Sequence, residues 1–81
     1  MIDSKRIIDK YISVDSEIQH GKPCVMGTRT PVHIILEALA TGMNIETITK
    51  EFASITPEGI NACILYAALL ADERELIPQA I

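Results

Sequence analysis

Tryptophan is absent from this 81-residue chain, and its aromatic residues are limited to Tyr11, Phe52 and Tyr66. The apolar content is aliphatic instead, with 14 isoleucines. No uncharged apolar run reaches the ~18–20 residues that a membrane span requires. Near the start, Ile7-Ile8 is bounded by Lys5-Arg6 and Asp9-Lys10, too short an apolar patch for a secretory signal. Cysteine is scarce: Cys24 and Cys63 stand 39 positions apart, which suits two small buried hydrophobes better than a disulfide framework. A reducing, cytoplasmic setting is expected.

Catalytic and cofactor patterns are also missing. His20 and Cys24 lie four apart, but two ligands do not make a zinc site, and His33 falls on a predicted helix. Gly21-Lys22-Pro23 lacks the upstream glycine and following hydroxyl of a nucleotide P-loop, and proline removes a needed N–H. No Ser/His/Asp or Cys/His arrangement emerges from the spacing, and so short a chain has little room for a substrate cleft. No enzyme activity, metal, cofactor or small-molecule substrate is expected.

One small domain accounts for the length. Such a chain buries only about 60–65% of its unfolded surface, while 48% of these residues are hydrophobic. The surplus calls for self-association, and a homodimer is the expectation. The net charge of -4 argues against a coat for nucleic acid, although it leaves room for a local basic patch. Residues 1–30 carry five basic and four acidic side chains, a net of +1, whereas residues 31–81 carry two and seven, a net of -5.

The second segment reads as three helices. Thr30 is placed to cap the first, with Pro31 at its first position, and Val32, Ile35, Leu36 and Leu39 form one apolar stripe. Gly42 serves as a left-handed stop. Asn44 caps the next helix, with Met43 placed to staple onto Ile48, and Ile45, Ile48 and Phe52 point inward. After a turn at Ala53-Ser54-Ile55, Thr56-Pro57 repeats the cap-and-proline start, and Ile55 can staple onto Ile60. The third helix is expected to bury Ile60, either Cys63 or Ile64, and Ala67, and to run to about Ala71. Its second apolar strip, Leu65, Ala68 and Leu69, is either more of the core or the dimer interface.

The first segment is less regular. Tyr11–Val14 and Cys24–Met26 read as a two-stranded ribbon, preceded at residues 4–10 by a helical turn or a loose arm. The expected organisation is an N-terminal arm at 1–10, the domain proper at 11–72 and a tail at 73–81.

A helix followed by two short helices joined by a tight turn is the outline of a helix-turn-helix module, in which the helix from Thr56 would face DNA. Asn61 is its one amide able to read a base edge, Thr56 could reach a phosphate, and Lys50 lies where backbone contacts are commonly made. Glu58 opposes this role, and no Lys or Arg lies between Thr56 and Leu70. The ribbon adds Lys22, Thr28 and Arg29, with Lys5, Arg6 and Lys10 further back, while a structural role for Arg29 remains open.

The run Ile18-x-x-Gly21-Lys22-Pro23-x-x-x-Gly27-Thr28-Arg29-x-x-Val32, then Ile35-Leu36 and Ala40-x-Gly42, resembles the bacterial domain-of-unknown-function family 433. Thr56-Pro57-Glu58-x-Ile60 and Ala62-x-x-x-Tyr66-Ala67 continue the resemblance, which spans about residues 11–68. It implies a homeodomain-like three-helix fold with a short N-terminal β element, usually dimeric. It further implies an antitoxin that binds a PIN-like nuclease toxin and represses its own promoter DNA. The chain departs from the family at His20, where a second glycine is common, and in the acidity of its helices. The alternative is an interaction module that sequesters a nuclease, its acidic face mimicking phosphate and its tail residues Leu76, Ile77 and Ile81 serving as anchors.

Overall fold

Asp3 caps the first helix. In the computed structural model, which describes residues 3–52 and 54–72, its carboxylate accepts the Arg6 amide proton at 3.2 Å, and α1 spans Ser4–Tyr11. Residues 4–10, expected as a helical turn or a loose arm, therefore belong to a packed helix. Ile7, Ile8 and Tyr11 turn toward the core, while Arg6, Asp9 and Lys10 remain exposed.

The ribbon is present but shorter than its β-favouring runs. β1 spans Ile12–Ser13 and β2 spans Cys24–Val25, antiparallel, with Ile12 opposite Val25 and Ser13 opposite Cys24. Tyr11 belongs to α1, which trims the first strand. Its carbonyl nevertheless accepts the Met26 amide at 2.7 Å, holding the end of α1 against the end of β2.

α2 spans Val32–Ala40, and Thr30 does not cap it. The Thr30 carbonyl accepts from Val25 at 3.0 Å and the Val32 amide donates to Pro23 at 2.9 Å, so residues 30–32 lie alongside β2. Pairing to the ribbon fixes the helix start where a side-chain cap was expected. The other end matches the reading: Gly42, at φ 104°, donates to Leu39 while Met43 donates to Ala38, the double closure of a Schellman motif.

α3 spans Ile45–Glu51, with the Asn44 side chain accepting the Thr47 amide at 2.8 Å. Ser54, at φ 72°, turns the chain; its neighbour Ala53 lies outside the described residues. α4 then spans Pro57–Asp72. Cys63 is buried and Ile64 exposed, which settles the alternative between them, while Ala67 is half-buried. α2, α3 and α4 pack against one another, and α4 also meets α1 and β1.

Ile35, Ile48 and Ile60, all fully buried, form the centre of the core together with Cys63 and Ala62. Burying each isoleucine contributes roughly 1.5–3 kcal/mol. Among the described residues, no helix is long and apolar enough to cross a membrane.

Candidate nucleic-acid interface

α4 owes its position to its first turn. The Thr56 hydroxyl accepts the Gly59 amide proton at 3.1 Å, and the Ile60 amide donates to the Thr56 carbonyl at 3.0 Å. Gly59 is buried, and a Cβ added there would stand 3.4 Å from Val25 Cγ1. The start of α4 thus rests directly on β2. Asn61 and Glu58 point outward from this turn and line a shallow groove with Ile7 and Tyr11 of α1.

The residues singled out in the sequence fall at three places. Thr56 and Asn61 sit at the start of α4, and the turn carrying Thr28 and Arg29 follows β2 at the same end. Thr28 is committed to that turn: its hydroxyl donates to the Val25 carbonyl at 2.8 Å and accepts the Thr30 amide at 3.0 Å. The Arg29 side chain is exposed and forms no ion pair among the described residues, so pairing with a carboxylate is not what holds it. Lys22 lies toward the other half of α4, lining a groove with Pro23, Leu36, Tyr66 and Leu70. Lys50, on α3, is exposed and stands 3.5 Å from Glu46.

The loop before Lys22 is strained. Gln19 (φ 51°), His20 (φ 58°) and Gly21 (φ 82°) all occupy the left-handed region. His20 therefore keeps a conformation that suits glycine, at a cost of roughly 1–2 kcal/mol. Gln19 fastens the loop by donating from Nε2 to the Arg29 carbonyl at 3.1 Å. This contact ties the His20–Lys22 segment to the Arg29 turn.

The strip proposed for dimerisation lies partly along α1. Leu65 is half-buried in the groove with Ile7 and Tyr11, and Leu69 borders a second groove with Ser4, Lys5 and Ile8. Ala68 is exposed. Ile64 (45% exposed) and Leu70 (53%) extend the apolar surface of α4; the sequence offered Ile64 only as a core alternative and did not single out Leu70. For Ile64 the signal was there, since it stands four positions before Ala68 on one helical face. Leu76, Ile77 and Ile81 lie outside the described residues.

Arg6 and Lys10 were named in the sequence only as basic groups further back on the arm, not placed on a helix. The capping pattern at Asp3 and the apolar spacing of Ile7, Ile8 and Tyr11 were the signals that could have placed them on a packed helix. Lys10 Nζ lies 5.3 Å from the centroid of the Tyr11 ring. On the other side of α1, Lys5 meets Asp9 at 2.8 Å, and that hydrogen bond and charge raise the Lys5 pKa. Both groups are exposed, so the pair adds little stability. In the core, burial pushes the Cys63 thiol up to about 11, which keeps it protonated and unreactive at neutral pH. Among the described residues, no three His, Cys, Asp or Glu side chains gather to hold a metal.

A family profile described as protein of unknown function (DUF433) matches residues 12–67. The matched span opens on the first residue of β1 and closes within α4, leaving α1 outside it. No curated protein and no solved structure matches the chain.

Proposed function

This chain belongs to the DUF433 family, and on that premise we propose that it is a homodimeric helix-turn-helix regulator that binds DNA. In this reading α2, α3 and α4 form a homeodomain-like trio, with α4 in the recognition position. In the cytoplasm the protein neutralises a PIN-like nuclease as its antitoxin and represses its own promoter. The antitoxin role comes from the family resemblance. The DNA role is carried by one observation: a capped α4 follows α3 across a short turn, packs on α2 and α3, and leaves Asn61 exposed at its leading end.

Base reading would rest on Asn61, and backbone contact on Arg29 and Lys50 with Lys22 in support. Thr56 can still donate its hydroxyl proton to a phosphate while accepting from Gly59. Dimerisation would use Ala68 and Leu69 with the adjoining Ile64 and the accessible part of Leu65.

A second reading has its own supporting observation. The described part of α4 carries no basic side chain and exposes Ile64, Leu69 and Leu70. Such a face fits a protein partner better than a phosphate backbone, as in a module that sequesters a nuclease and binds DNA weakly.

Titrating the protein onto its own promoter and onto a scrambled duplex at several salt concentrations separates the two. The regulator prefers the promoter and shows a salt slope worth several phosphate contacts. Equal, weak binding to both duplexes until the adjacent gene product is added would favour the sequestering module.

A further inference from the structure

The helix in the recognition position has no cation among its described residues, whereas the helix beside it has three. α1 packs along α4, and its Ile7 and Tyr11 share a groove with Glu58, Asn61 and Leu65. Lys10 is three residues beyond Ile7, and Arg6 is four before Lys10. At about 100° per residue, both stand on the Ile7 side of α1, about 6 Å apart along its axis. The 5.3 Å approach of Lys10 Nζ to the Tyr11 ring fixes Lys10 at this edge, because Tyr11 itself lines the groove beside Asn61. Arg6 is exposed and forms no ion pair among the described residues. Lys5 belongs to the opposite edge. It is held by Asp9 and borders the groove of Ile8, Tyr66 and Leu69.

We propose that α1 is a phosphate-gripping element of the DNA interface, with Arg6 and Lys10 contacting the duplex backbone while Asn61 meets a base edge. This rests on the DNA-binding reading and assigns part of its site. An acidic α4 cannot approach a phosphate strand unaided, because Glu58 stands at its leading end. Two cations on the neighbouring helix offset that carboxylate and supply the counterion release on which affinity depends. The hydrogen bond from Met26 to Tyr11 places the end of α1 beside the β2 turn that carries Arg29. Lys10, next to Tyr11, thus lies toward the start of α4, and Arg6 stands about one turn of α1 further along the same groove. α1 lies outside the family-matched span, so the proposal rests on this chain's own residues.

The test compares the full-length protein with Arg6→Gln/Lys10→Gln, Lys5→Gln and the charge-preserving Arg6→Lys/Lys10→Arg, by anisotropy on promoter and scrambled duplexes from about 50 to 200 mM salt. Glutamine is a good helix former, and thermal melts check that α1 remains folded. The neutral double variant, which removes two cations from each chain of the dimer, is expected to bind both duplexes at least ~10-fold more weakly, with a log–log salt slope shallower by about 3.6. The charge-preserving pair and Lys5→Gln should bind as the parent does. A parent that prefers its promoter while the neutral variant keeps the same affinity and slope overturns the role of α1 and leaves the DNA reading standing. Weaker binding with an unchanged slope also overturns it, because the loss would then be structural. A parent without promoter preference or salt slope overturns both.

Discussion

The Gly59 amide donates to Thr56 Oγ1 at 3.1 Å, and this bond sets the first turn of α4 on β2. Thr56→Ala removes the acceptor and is expected to cost about 1 kcal/mol, whereas Thr56→Ser should cost little. Urea unfolding of the two variants measures the difference. Equal stability in both would mean that the cap does not hold the helix start.

His20 occupies a left-handed conformation at φ 58°. Glycine adopts it without steric penalty, so His20→Gly should raise stability by about 1 kcal/mol even though glycine loses more chain entropy on folding. The midpoint of urea unfolding should move upward with an unchanged slope. An unchanged or lower midpoint would show that the imidazole contributes something the strain conceals.

Burial raises the Cys63 thiol from its ordinary value near 9 to about 11. The unfolded chain therefore gives up this proton first, and stability falls as pH rises through that interval. Below about pH 9 the contribution is complete; by pH 11 roughly 2–3 kcal/mol is lost. Denaturant titrations at pH 8, 9.5 and 11 should follow this course in the parent and flatten in Cys63→Ala. A parallel decline in both proteins would assign it to other groups.

Ile64 and Leu65 offer different tests of the dimer. Ile64 is 45% exposed, so Ile64→Asp should convert the dimer to a folded monomer at small cost in stability. Leu65 is half-buried beside Ile7 and Tyr11. Leu65→Asp should therefore lower the melting temperature as well as dissociate the dimer. Light scattering and thermal melts read the two effects separately, and an unchanged dimer in Ile64→Asp would remove this face from the interface.

Local chemistry was legible where a single residue does a single job. Asn44, Thr56 and Gly42 mark helix ends through their own side chains or dihedrals, and Ile35, Ile48 and Ile60 follow helical spacing to the centre of the core. Thr30 failed as a cap because its backbone is engaged by Val25, a tertiary pairing that no local pattern encodes. α1 could be read as either a turn or a loose arm because eight residues make a marginal helix alone. It holds through Ile7, Ile8 and Tyr11 packing on α4. The same packing answers part of the question posed by the Leu65–Leu69 strip, which has a neighbour within its own chain. Which side of α1 its cations occupy could be known only once that packing was seen.

Whether a dimer grips DNA is read from the mass of the complex on its own promoter. Sedimentation of the protein with a promoter duplex should give two chains per duplex site, and the same protein with Ile64→Asp should give weak binding with no fixed stoichiometry. One chain per site, or no complex at concentrations where the free protein is dimeric, would mean that the dimer is not the DNA-binding form.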